Sequence, residues 1–216
     1  LNNNNNINNS LKFNSNIYII NNFLDYKTFL HIQKLIKTYN HTINNSNNII
    51  RKGSSISNAH VRKYLPFIYN TFYNQNTLDT IKKNINLKLN FVPQSDKNHL
   101  TILIYNENDS IDWHKDGNIY KGERWVGIYT IENINYETNS LSSGSFVYKK
   151  NNKELIINNS PNSLIMFQGN HIEHKTLPLK KNESRIVISM LFCNICINNN
   201  NIISNLKQQI VNYSFY

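Results

Sequence analysis

The sequence predicts an α+β fold, with supporting helices in its N-terminal part followed by one antiparallel β-barrel. Two textures carry this expectation. Before about residue 86, apolar residues recur at helical spacing, as in Phe29, Ile32, Leu35 and Ile36. From Leu87 onward, short β-branched and aromatic runs alternate with polar turns: LKLNFV, LTILIY, SIDWHK, WVGIYTI, SGSFVYK, ELIIN, SLIMFQ, HIEHKTLPL and RIVISMLFC. Many short strands between turn signals indicate a sandwich or barrel. No run of about 18 apolar residues occurs, so no membrane-spanning helix is expected.

Taken in order, residues 1–15 are Asn-rich and too poor in apolar groups to repay ordering, so they read as a tail. The IYII run at 17–20 reads as a strand. Asp25 is a plausible N-cap for a helix reaching about Lys37. Residues 43–58 read as a loop. Two more helices are expected at 61–72 and 78–84, the latter capped by Asn76 or Thr77. Helical support thus spans about 16–86 and the barrel about 87–197. A last helix is expected after the barrel, in IISNLKQQIVNYSFY.

The formal charge is +10, from 23 Lys and Arg against 13 Asp and Glu. A basic surface gives weak attraction to nucleic acid or another anion. Only four basic residues are Arg (Arg51, Arg62, Arg124 and Arg185), and each invites the question of what Lys could not do there. The N-terminus has neither a basic nor an apolar signal-peptide region, so an intracellular location is expected. The two cysteines, Cys193 and Cys196, offer no disulfide framework and read as core or strand-end residues.

The densest chemistry lies in IYNENDSIDWHKDGNIYKGERW. Residues i and i+2 of a strand share a face, so His114 and Asp116 could reach one metal ion. Asp112 shares that face but reads as a solvated carboxylate. His171 or His174, in FQGNHIEHKTLPL, would complete a set of two His and one carboxylate. Such a set occupies one face of a ferrous ion and leaves three positions open.

These residues resemble the Fe(II)/2-oxoglutarate-dependent dioxygenases, whose pattern is H-x-D, a long gap, a second His and then an Arg or Lys. His114-Lys115-Asp116 matches the first element, His174 lies 60 residues beyond His114, and Arg185 lies 11 beyond His174. Pro178 matches the H-x-x-x-P form, and this register favours His174 over His171. The resemblance implies a double-stranded β-helix (jelly-roll) barrel and a single catalytic domain over 16–216. It implies Fe(II) held by the catalytic ligands His114, Asp116 and His174, with 2-oxoglutarate as cosubstrate and ascorbate in support. Arg185 would anchor the distal carboxylate through its guanidinium fork. Tyr105, nine residues before His114, would hydrogen-bond the same carboxylate. A structural salt bridge of Arg185 and plain packing of Tyr105 are the alternatives. The retained Asp116 implies oxygen insertion, since related halogenases have a small residue there.

For the prime substrate the residues point two ways. DSIDWHKD is similar to the corresponding stretch of AlkB-like nucleic-acid demethylases, which end in R-x-N-x-x-x-R; here Val187 and Leu191 stand at the Asn and second Arg positions. YKGERWVGIYTIEN resembles prolyl-4-hydroxylase-type domains. The expected activity is therefore hydroxylation of a protein, peptide or small molecule, coupled to conversion of 2-oxoglutarate to succinate. Oxidative demethylation of nucleic acid is the alternative. An inactive binding barrel would be signalled by a lost ligand, and a metal-dependent hydrolase would have no need of Arg185.

Overall fold

A computed structural model of the chain describes residues 10–199, apart from positions 15, 42 and 49. Its frame is one strongly curled, antiparallel sheet. Strands β1 (Ser10–Asn14) and β2 (Ile17–Ile20) precede helix α1 (Tyr26–Lys37). The hairpin β3 (Asn44–Asn47) and β4 (Arg51–Ile56) leads into α2 (Asn58–Tyr64), α3 (Pro66–Phe72) and α4 (Gln75–Ile85). The barrel strands follow: β5 (Asn90–Phe91), β6 (Leu100–Tyr105), β7 (Ser110–His114), β8 (Arg124–Asn135) and β9 (Phe146–Lys150). The last are β10 (Lys153–Ile157), β11 (Leu164–Phe167), β12 (His174–Thr176) and β13 (Glu183–Cys193).

The sheet order is β1-β2-β11-β8-β13-β6-β4-β7-β12-β9-β10, with β3 on β4 and β5 on β13. The non-sequential order and curl are those of a jelly roll with four supporting helices. β13 is buried along its whole length, so both of its faces need partners. Ile186, Ile188, Met190 and Phe192 pack into the layer shared with Ile32, Ile68, Phe72 and Ile81 of the helices. The alternate residues Val187 and Leu191 pack into the barrel interior.

α1 starts where expected, with Asp25 Oδ1 accepting from the Thr28 N–H at 3.0 Å. The other helices correct the expectation. The single helix at 61–72 is two, because Pro66 lacks an N–H and drives Leu65 out of helical geometry (φ −128°, ψ 50°). α4 begins earlier than expected and is capped by Asn74, whose side chain accepts from Thr77 N at 2.9 Å. Residues 43–58 are not simply a loop: β4 bridges β6 and β7 through separate halves of its length. The segment 16–86 thus contributes strands as well as helices. Part of the expected tail, Ser10–Asn14, pairs with β2; residues 1–9 and the expected C-terminal helix lie outside the described residues.

Cys193 and Cys196 also differ from expectation. Where β13 ends, the chain turns back and brings their Cα atoms to 5.3 Å, and the two sulfurs are bonded as a disulfide. Among the described residues, no helix is long and apolar enough to cross a membrane. The Asn-rich composition has a local structural use: among the described residues, all eight non-glycine positions with positive φ are Asn. Their short polar side chains tolerate the left-handed turn conformation better than most.

Candidate metal centre and cosubstrate cavity

His114 ends β7 and His174 begins β12, and the two are direct cross-strand partners. Their ring centroids are 4.1 Å apart. Asp116 lies just beyond the strand, so it does not reach the site by strand alternation. It arrives through an irregular segment fixed by its N–H, which donates to the Gly169 carbonyl at 3.0 Å. One ligand atom each from His114, Asp116 and His174 lies within 4.8 Å of the others. Asp116 Oδ1 is 3.9 Å from His114 Nε2.

The remaining ring atoms are committed in a way that suits a metal. His114 Nδ1 contacts the Asp112 carbonyl at 2.7 Å, and His174 Nδ1 contacts the Ile172 carbonyl at 2.9 Å. A carbonyl can only accept, so each Nδ1 carries a proton and Nε2 is the ring atom left to face an ion. Phe146 and Phe167 flank the His174 ring at 5.4 and 4.6 Å between centroids. Burial, with His114 beside it, pushes the His174 pKa down to about 4, keeping the imidazole neutral. Burial works to raise the Asp116 pKa, but His174, Arg124 and His114 outweigh it and hold the group below the usual carboxylate value. The Asp116 Oδ2 atom is buried without a hydrogen-bond partner. That orphaned acceptor, beside the Nε2 atoms of two histidines, fits a divalent cation.

His171 is exposed and stands outside this cluster, and Asp112 is exposed on β7. Two neighbours of Asp116 were not identified from sequence. A Cβ at Gly169 would collide with Asp116 Oδ2, so only glycine lets the backbone cradle the carboxylate. Arg124, 5% exposed, donates to the Gly117 carbonyl just after Asp116. The scarcity of Arg was the only signal for it.

A narrow cavity opens beside His174. Phe146, Phe167, Ile128, Val187, Tyr105 and Arg185 share its wall with His174. Arg185 and Tyr105 are cross-strand partners on β13 and β6. Arg185 is 2% exposed, its Cζ sits 5.5 Å from the Tyr105 ring centroid, and no carboxylate pairs with it among the described residues. The salt-bridge alternative for Arg185 therefore finds no acid. Burial lowers its pKa from the usual value. The Tyr105 hydroxyl and Arg185 Nε are both buried and unpartnered. Unpaired polar groups and a buried cation are costly unless something anionic meets them.

By sequence, neither a family model nor a curated protein matches the chain. By structure it is similar to an oxidoreductase of the 2OG-Fe(II) oxygenase family from Burkholderia pseudomallei. The TM-score is 0.64 at 8% identity, covering 86% of this chain and 89% of that one. A prolyl hydroxylase from Trichoplax adhaerens, solved with a hypoxia inducible factor peptide fragment, gives 0.59 at 16% identity, covering 83% of each chain. HygX from Streptomyces hygroscopicus, solved with nickel and 2-oxoglutarate, gives 0.59 at 8% identity, covering 82% of each. The chain shares the jelly-roll fold of these oxygenases.

Proposed function

We propose that the chain is an Fe(II)- and 2-oxoglutarate-dependent oxygenase that hydroxylates a protein, peptide or small-molecule substrate. One observation carries the reading: a single cavity has His174 of the His-Asp-His cluster in its wall together with the acid-free Arg185 and the unpartnered Tyr105 hydroxyl. When bound, iron with 2-oxoglutarate and dioxygen would supply the power to hydroxylate a C–H bond, one oxygen atom entering the product hydroxyl and the other the succinate formed as the cosubstrate loses carbon dioxide.

The chain's own residues do the rest. His114 and His174 would hold the ion through Nε2 and Asp116 through its ionised carboxylate, which brings one negative charge to it. Arg185 binds the distal carboxylate of 2-oxoglutarate through its fork, and the Tyr105 hydroxyl donates to the same group. Ile128 and Val187 keep water from the chain between. Hydroxylation is favoured because the carboxylate ligand is retained as Asp116. Val187 and Leu191, both 1% exposed, are apolar where demethylases of nucleic acid carry polar side chains, which speaks against that alternative. The similarity to a prolyl hydroxylase solved with a peptide supports a peptide-like substrate.

The test needs no prime substrate. Protein supplied with Fe(II), ascorbate and 2-oxoglutarate should slowly form succinate, followed by NMR. Asp116→Ala should abolish this turnover. Arg185→Ala should raise the 2-oxoglutarate requirement by roughly 3 kcal/mol, the scale for breaking a buried charge pair. Succinate formation unaffected by both substitutions would overturn the proposal.

A further inference from the structure

We infer that Arg51 is a positioning residue for the cosubstrate, acting through Tyr105; the inference rests on the reading of the cavity as a 2-oxoglutarate site. Tyr105 lies on β6 between β13 and β4. On the β13 side its partner is Arg185. On the β4 side, Ser54 pairs with Ile104, which brings Gly53 beside Tyr105. Gly53 has φ +145°, and a Cβ there would come within 3.2 Å of the Tyr105 ring and 3.1 Å of the Ile104 carbonyl. The missing side chain therefore leaves room for the ring to lean over β4.

Two residues along the same face stands Arg51. It is 1% exposed, and its Cζ lies 5.8 Å from the Tyr105 ring centroid, against 5.5 Å for Arg185. Its Nη2 donates to the Ser54 carbonyl at 2.6 Å, which pins the guanidinium. Arg51 pairs across the sheet with Ile111, a cavity-lining residue, so its side chain starts on the cavity side.

Two guanidiniums thus meet one tyrosine from the two neighbouring strands. Guanidinium–aromatic contacts favour this arrangement, yet two buried cations so placed repel each other. An anion at the Tyr105 hydroxyl offsets that repulsion. Arg51 fixes the ring so that its unpartnered hydroxyl meets the distal carboxylate, while Arg185 makes the direct ion pair. The alternative role, a cation that merely closes the β3–β4 hairpin, predicts no selectivity for that carboxylate.

The experiment measures binding by calorimetry to the full chain loaded with Mn(II), using 2-oxoglutarate and 2-oxopentanoate, which lacks the distal carboxylate. Arg51→Met should weaken 2-oxoglutarate at least tenfold and 2-oxopentanoate less than threefold. In a Tyr105→Phe background most of the Arg51 effect should vanish. Equal weakening of both ligands, or an effect that persists in Tyr105→Phe, would overturn the inference. Should Arg51→Met fail to fold, Arg51→Lys is run through the same cycle, since an ammonium keeps the charge but not the flat ring contact. Loss of 2-oxoglutarate affinity that depends on Tyr105 supports the inference, and unchanged affinity overturns it. Failure of the unsubstituted protein to bind 2-oxoglutarate is a separate result, and it overturns the cosubstrate reading itself.

Discussion

Arg51, Arg124 and Arg185 are buried, whereas no lysine among the described residues is. The guanidinium is weakly hydrated and planar, so it can be buried against rings and carbonyls where an ammonium cannot. This answers the question the four arginines raise. One lies beside Asp116, two meet at Tyr105, and Arg62 remains exposed over Tyr69. The ligand assignment is tested at the same scale. His174→Ala should abolish stoichiometric divalent-metal binding and His171→Ala should preserve it, as read by metal titration. A reversed pattern would move the second histidine. Gly169→Ala should weaken metal roughly 10–100-fold, as displacing a group that orients a ligand does. Its thermal stability serves as the control, since a collapse of folding would speak for packing instead.

At the scale of elements, legibility depended on whether the signal was local. α1 could be read because its cap and its apolar stripe lie within one turn of each other: Asp25 bonds Thr28, and Phe29, Ile32 and Ile36 face the sheet. β13 could be read from its apolar run, which only Ser189 interrupts between Ile186 and Cys193. β4 could not, because RKGSSI has neither alternation nor bulk; its strand character comes from pairing with β6 and β7, far along the chain. The placement of Asp116 was hidden for the same reason, since its anchor is Gly169. The cysteine pair was hidden because only the turn after β13 brings the two together. One element contact carries a pH prediction. α1 is tied to β8 by Gln33 Nε2 donating to the Ile131 carbonyl at 2.8 Å and by Lys37 to Glu132 at 2.9 Å. Burial works to raise the Glu132 pKa, but bonds from Tyr136, Lys37 and Ser184 prevail and lower it from 4.5. A lowered folded-state pKa gives stability that is complete above the unfolded value and is lost as pH falls through the folded one. Denaturant unfolding followed from neutral pH down through that window should therefore show a shallower loss in Glu132→Gln than in the parent. Parallel curves would mean that the pair contributes nothing.

Across the whole molecule, the candidate ligands and the candidate anchor sit on opposite parts of one curled sheet. His114 and His174 belong to the β7–β12 side, whereas Tyr105 and Arg185 belong to the β6–β13 centre, and β4 is the strand joining the two. A bound metal with 2-oxoglutarate would span both and hold the curl closed. Ligands that bind only the folded state stabilise it by mass action, by about 2.7 kcal/mol at a hundredfold excess over Kd. For a chain of this size that corresponds to a rise of roughly 5–10 °C in Tm. Thermal melts in Mn(II), then Mn(II) with 2-oxoglutarate, should rise in two steps. Asp116→Ala should remove the metal step, and with it most of the second, because the ion supplies part of the cosubstrate's binding. Arg185→Ala should keep the first step and lose the second. If Arg185→Ala instead removed both steps, the anchor and the metal cluster would not be separable sites. The spanning role given to the cosubstrate would then fail.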